Sequence, residues 1–302
     1  MAELQAFIPG LYPRSEALVQ ATRDLDRGRT SPEAVAEHVQ RDFQELVSVQ
    51  RAAGLSFLSD GMLGWQDLFR PLAEAAEGLG ARPLTRFLDT NTFYRAVLVD
   101  GEPRLATPLP APDLPAGEWV GTLPSPLAFA RAARDEVSAQ KLAANVLAPQ
   151  IAAWAGAGAA MIVLSDPFLA REGGAGELLA ALGELPEGVP LSLQLPFGDA
   201  SSVLPALAEA PVAAIGVDFY STSLDALPRG YPKEVLAGVL DARSSALESP
   251  GGLARFAEEL LAREPAGLAL VPNGDLQFVS EPIARQKLAR LGQASAGLAE
   301  VA

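Results

Sequence analysis

Short apolar runs return along the whole chain, separated by longer amphipathic or polar stretches. The runs are Ala6–Ile8, Leu55–Leu58, Trp119–Leu123, Ala160–Leu164, Pro190–Leu195, Ala213–Val217, Val235–Leu240 and Leu268–Val271. Each is followed by a turn-rich or polar stretch. Most are then followed by a helical pattern, as in Ser202–Ala210, Leu253–Arg263 and Glu281–Leu298. Near-continuous apolar strands separated by helices belong to a parallel sheet covered on both faces. Eight such units in 302 residues predict an α/β fold of the (β/α)8 TIM-barrel type, which takes about 250 residues plus insertions. A doubly wound open sheet is the rival, but no glycine-rich phosphate fingerprint follows the first run.

The helix starts are marked in places. Ser31 is placed to cap a helix with Pro32 at its first position, running to Ala53 before Gly54. The surplus length lies between the second and third runs, residues 60–118, and is expected to form an insertion over one barrel mouth. Within it Thr85–Leu88 and Phe93–Val99 look extended, and Asp100-Gly101 fits a hairpin turn before Arg104–Thr107. One barrel is therefore expected to account for residues 1–302.

Composition narrows the chemistry. The chain has no cysteine and a single histidine, His38, set mid-helix between Glu37 and Val39. Thiolate nucleophiles, zinc–sulfur centres and Ser-His-Asp schemes lack their parts. The net charge is −14 and no basic stripe appears, so nucleic acid is not an expected partner. No apolar run approaches the roughly 18 residues of a membrane span. With no basic-then-apolar leader before Pro9, a cytoplasmic protein is expected.

In barrels of this type, chemistry gathers where strands end and the following loops begin. Those positions hold Tyr12 and Arg14, Asp60, Ser125, Ser165 with Asp166, Gln194, Asp218, Asp241 with Arg243, and Asn273 with Asp275. Converging carboxylates can hold a hard cation, bind an amine or act as acid and base. An aspartate at such a position equally often caps a helix or fixes a turn. The insertion adds Trp65-Gln66-Asp67 and Arg86–Arg95, where aromatics alternate with Asp89, Asn91 and Arg95. Such a surface suits a flat heterocycle. A small aromatic core around Phe87 and Phe93 is the plainer account.

Several loops carry a resemblance. They are Gly10-Leu11-Tyr12-Pro13-Arg14-Ser15, Ala53-Gly54-Leu55 through Asp60-Gly61 with Trp65-Gln66-Asp67, Leu88-Asp89-Thr90-Asn91-Thr92-Phe93-Tyr94-Arg95, Pro124-Ser125-Pro126 and Ser165-Asp166-Pro167-Phe168-Leu169. Together they resemble the cobalamin-independent methionine synthase family. The segment around Asp89 and Tyr94 is the most specific match, similar to Phe-Asp-Thr-Asn-x-x-Tyr. The resemblance implies methyl transfer from a methylated folate to homocysteine, activated by zinc held by His-x-Cys, Glu and Cys. Here the corresponding positions are Gln194, Pro196, Asp218 and Gly274, so zinc is not expected.

Pro196-Phe197-Gly198-Asp199, Ala210–Asp218 and Gly238–Ser244 are more similar to the zinc-less amino-terminal barrel of full-length members. That barrel's basic helix, which holds a polyglutamate tail, is not kept: Val19 and Thr22 stand there. The implied protein is a methyltransferase-like barrel acting with a zinc-bearing partner barrel or as a homo-oligomer, with no membrane role. The implied substrate-binding set is Arg14, Asp60, Trp65, Asp89, Asn91, Tyr94, Asp166, Gln194, Asp218, Asp241 and Arg243. A non-catalytic small-molecule-binding barrel and a metal-free decarboxylase on the same fold are the alternatives.

Overall fold

The computed structural model describes residues 4–133 and 135–299. Its strands are β1 (Gln5–Ala6), β2 (Ala76–Arg86), β3 (Phe93–Leu105), β4 (Val120–Pro124), β5 (Met161–Ser165), β6 (Leu191–Leu195), β7 (Ala214–Asp218), β8 (Glu234–Leu240) and β9 (Gly267–Pro272). Seven form one parallel sheet in the order β1-β9-β8-β7-β6-β5-β4, and β2 pairs with β3 as a separate antiparallel hairpin. β4 to β7 are buried at every position, as two-sided covering by helices requires.

Alternate strand residues separate into two cores. Phe7, Val120, Met161, Val163, Ala214, Leu236, Ala269 and Val271 pack together on one side, with Phe57 against them. Their neighbours Ile162, Leu164, Val235, Leu268 and Leu270 join the larger core under the helices. Phe7, which follows β1, and side chains from β4 and β9 can meet in one inner cluster only because the sheet curls.

The expected second strand, Leu55–Leu58, is reduced to a bridge. Ser56 N–H donates to the Ala6 carbonyl at 2.8 Å, and Ala6 N–H donates to Ser56 Oγ at 3.1 Å. Leu58 exchanges bonds with Glu118 and Val120 at 2.8 and 2.9 Å. Three residues thus touch both sheet edges without building a ladder. The reason lies in the buried Gln50 of helix Pro32–Ala52. Its amide takes the Ser59 N–H and donates to the Ser59 carbonyl, both at 2.9 Å. The next ladder positions are therefore already occupied.

Ser31 caps that helix through Ala34 N–H, with Pro32 at the first position, as expected. The hairpin turn falls elsewhere than expected. It lies at residues 87–92, where Leu88 adopts φ +50° and Phe87 N–H donates to the Thr92 carbonyl. Asp100-Gly101 instead belongs to a bulge in β3. Glu77 pairs with Arg104 but Leu79 pairs with Val99, leaving residues 100–103 opposite Gly78. Gly78 has φ +72°, and a Cβ there would meet the Glu102 carbonyl at 2.5 Å. The backbone contact, not a turn, is what the glycine permits.

The hairpin is fastened over the strand ends by aromatic packing. Tyr94 lies edge-on to Phe69 at 5.2 Å, and Phe87 stacks on Phe278 at 6.4 Å. Phe87 is core, whereas Phe93 is 49% exposed and belongs to no core. No helix among the described residues is long and apolar enough to cross a membrane.

Candidate functional site

The aspartates at the strand ends do not converge. Asp166 is fully buried and accepts from the Ser125 hydroxyl at 2.5 Å and from Phe168 and Leu169 N–H at 3.1 and 2.8 Å. Burial nonetheless pushes its carboxyl above the ordinary range. Asp218 accepts from Tyr220 N–H, the Ser221 hydroxyl and the Asn273 amide at 2.9, 2.7 and 3.0 Å. Asp60 and Asp241 each fix a turn by accepting the N–H two residues on, and burial raises the Asp60 carboxyl. These are turn and cap geometries. Among the described residues, no three His, Cys, Asp or Glu side chains come together in a way that could hold a metal ion.

The four positions that the family resemblance assigns to zinc ligands gather at the sheet mouth, and they do not fit the metal. Gln194, Pro196 and Gly274 line one void of about 10 Å³, room for a single water. Asp218 is tied to Asn273 beside them. Proline and glycine offer no side-chain donor, and a carboxamide is a poor zinc ligand. The space above Gly274 is filled by the Phe197 ring, 2.3 Å from where a Cβ on Gly274 would lie. Phe197 is itself unusual, a buried phenylalanine with φ +58°. Its ring is edge-on to Phe278 at 5.2 Å and lies 4.7 Å beneath the Arg243 guanidinium.

Two residues with buried acceptors, Gln194 and Asp275, line that void. Gln194 Oε1 is buried and has no hydrogen-bond partner among the described residues. Asp275 accepts from Leu11 N–H at 3.0 Å, and burial pushes its carboxyl up to about 6. Gly10 (φ +80°) makes room, since a Cβ there would lie 2.2 Å from Asp275 Oδ1. A raised folded-state pKa favours the neutral carboxyl. Its stabilising contribution is complete below the ordinary aspartate range and disappears as pH rises through about 6. The unfolding free energy of wild type relative to Asp275→Asn is accordingly expected to fall by about 3 kcal/mol across that window. Denaturant titrations of both proteins on either side of the window check this, and a constant difference would refute it.

A cavity of about 550 Å³ lies to one side of the mouth, between the loops after β1, Leu58 and β9. Arg14 and Trp65 both line it, with Tyr12, Gln66, Gln277 and Glu281. Arg14 is half-buried and forms no hydrogen bond or ion pair with another described residue. Burial, followed by the charge of Arg23, holds its guanidinium below the usual arginine range, with Asp42 opposing. Arg285 bridges Glu281 (2.8 Å) and Glu45 (2.5 Å), which partly neutralises the acidic wall. Leu11, Gln66 and Gln277 also line a smaller void of about 20 Å³ that reaches Asp275.

The remaining expected residues lie apart. Tyr94 is buried in the aromatic cluster, Asn91 is exposed on the hairpin turn, and Asp89 meets Arg171 and Arg243 across the mouth. Arg171 carries no motif, and only the fold brings it to Asp89 and to the Phe197 carbonyl. Lys287 had a legible signal, since it follows Ala284 and precedes Leu288 and Leu291 on one buried helix face.

No protein-family profile matches the chain, and no curated protein matches it. Solved structures do. The fold is that of B12-independent methionine synthases, which are structural neighbours over the whole chain. One from Shewanella sp. W3-18-1, in complex with selenomethionine, superposes with TM-score 0.72 at 16% identity, covering 99% of both chains. A putative one from Listeria monocytogenes gives 0.73 at 14% identity, covering 98% of this chain and 99% of that one. A methyltransferase from Methanosarcina mazei gives 0.59 at 13% identity, covering 100% and 95%.

Proposed function

We propose that this chain is a methionine synthase-like (β/α)8 barrel, closed by Ser56–Leu58 as its eighth stave. It takes part in methyl transfer from a methylated folate, or a related donor, to homocysteine by binding a ligand without activating a thiol itself. The observation that carries the reading is the exchange at the mouth. Gln194, Pro196 and Gly274 stand where the family resemblance asks for zinc ligands, and Phe197 fills the space, while a 550 Å³ cavity beside it stays open. Zinc acts by making a thiolate at neutral pH, and no residue here takes over that task. A zinc-bearing partner barrel supplies it.

What this chain's residues can do is hold a ligand. Trp65 offers a ring face, and Arg14 a guanidinium with no hydrogen bond or ion pair among the described residues. Glu16, Asp42, Glu45 and Glu281 share the lining and disfavour a polyanionic tail. A folate with few glutamates therefore suits the cavity better than a polyglutamylated one. The decarboxylase reading has less support, because Arg14 and Arg243 serve different places and cannot grip one acidic substrate together. A purely binding barrel differs from the leading reading only in lacking the partner.

The test has two arms. Calorimetric titration with methyltetrahydrofolate, homocysteine and methionine is expected to show binding that survives exhaustive chelation and weakens about tenfold or more in Arg14→Gln or Trp65→Ala. In the second arm, methionine formation by a zinc-bearing methionine synthase barrel is measured with and without this chain, and stimulation is expected. Methionine formed by the chelated chain alone would falsify the proposal, as would the absence of any binding.

A further inference from the structure

The turn of the β2–β3 hairpin reaches across the mouth and ends on two arginines. The Asp89 carboxylate lies 3.4 Å from Arg171 and 3.8 Å from Arg243, and its side chain is 65% exposed. The arginines come from separate segments, Arg171 from the short helix Leu169–Glu172 after β5 and Arg243 from the loop after β8. Neither contact is a tight two-point pair of the kind that fixes a carboxylate firmly. The same two arginines hold the plug. Arg171 Nε donates to the Phe197 carbonyl at 3.1 Å, and the Arg243 guanidinium covers the Phe197 ring. Next to Phe197, its neighbour Pro196 lines the small void together with Gln194, Gly274 and Asp275, and Gln194 Oε1 has no hydrogen-bond partner among the described residues.

We infer that Arg171 and Arg243 form a subsite for the anionic group of a small ligand, a carboxylate or a phosphate, and that Asp89 occupies it until the ligand arrives. The chain carries a net charge of −14, so it repels anions except where cations are concentrated. Two guanidiniums converging at the mouth are such a place. The nearby acids are committed elsewhere: Asp241 accepts the Arg243 backbone N–H, and Glu172 faces Arg131 at 3.6 Å. Asp89 holds the arginines through one oxygen in a largely solvated position, an arrangement that contributes little. A free carboxylate or phosphate can engage both guanidiniums in the two-point geometry that Asp89 does not reach. On its arrival the hairpin turn is released, Arg243 moves off the Phe197 ring, and the way to the small void is uncovered. This inference concerns where an anion binds and stands whichever reaction the protein serves.

Calorimetry with inorganic phosphate and with succinate, using neutral succinamide as control, tests it on the full chain. Asp89→Asn removes the internal competitor and is expected to tighten anion binding about three- to tenfold. The double change Arg171→Gln with Arg243→Gln is expected to abolish binding, its circular dichroism and melting curve confirming that the fold persists. Binding of succinate alone assigns the subsite to carboxylates, and binding of phosphate alone assigns it to phosphates. Hydrogen exchange at residues 87–92 is expected to accelerate when the anion binds. Failure of both anions to bind Asp89→Asn overturns the inference. So does binding that the arginine changes leave intact, or succinamide binding as well as succinate.

Discussion

Replacing Phe197 by alanine is expected to destabilise the fold by about 3 kcal/mol, and replacing it by glycine by about 1 kcal/mol less. The order inverts the usual rule that the larger remnant is better tolerated. The ring is fully buried between Gly274, Phe278 and Arg243, so either change loses the transfer energy and leaves a hole. Only glycine relieves the left-handed backbone at φ +58°, which costs a side-chain-bearing residue about 1–2 kcal/mol. Denaturant unfolding of the three proteins measures the order. The site should respond too. With the plug gone, water reaches Asp275, and its carboxyl, held at about 6 by burial, is expected to return toward the ordinary range. A titration of that carboxyl by NMR checks this. Glycine proving worse than alanine would show that the turn tolerates the strain for reasons outside the backbone.

Lys287→Met is expected to cost about 3–5 kcal/mol, although methionine matches lysine in shape. Lys287 is completely buried, and its ammonium donates to both Glu248 oxygens and to the Ala246 carbonyl, each at 2.8 Å. Glu248 also accepts from Asp241 N–H at 2.9 Å and from the Tyr220 hydroxyl at 3.1 Å. One ion pair thus anchors the loop after β8 to the final helix Glu281–Ala299. Removing only the lysine leaves a nearly buried carboxylate with no counter-charge, which is where most of the cost arises. The double variant Lys287→Met with Glu248→Gln removes the charge and keeps an oxygen for Asp241 and Tyr220. Its stability is expected to recover by roughly 1–3 kcal/mol, a coupling that a double-mutant cycle reads directly. Additive losses would mean that the pair is not the unit described.

What the sequence made legible follows from local periodicity. Seven of the eight apolar runs coincide with strands of the parallel sheet, because uninterrupted apolar residues had nowhere to lie except between two covered faces. Ser31 and Pro32 placed a helix start correctly for the same local reason. The run at Leu55–Leu58 differed because a side chain fifty residues into the chain, Gln50, competes for the backbone groups of Ser59. Asp100-Gly101 misled because a bulge and a turn need the same residues, and only the pairing across to Gly78 distinguishes them. At the site, strand-end positions were legible and their partners were not. Asp166 and Asp218 carry the signature of a binding rim, but Ser125 and Asn273, brought in from other strands, engage their carboxylates in holding loops. Phe197 became a plug through its positive φ, which no composition or spacing reveals.

The three-residue bridge at Ser56–Leu58 bears on how the molecule comes apart. Every other neighbouring pair in the sheet shares a ladder, but between β1 and β4 the connection is a handful of bonds shared with Gln50. That is a weak seam of the fold, and one side of it is the short amino-terminal strand β1, whose other edge pairs with β9 through only Gln5 and Ala6. Partial unfolding is therefore expected to begin by parting this seam, with amides of Ser56, Leu58 and Val120 exchanging before those of β5 to β8. The cavity carrying Arg14 and Trp65 sits beside the same seam, so a ligand bound there would act as a clasp across a breakable line of the protein.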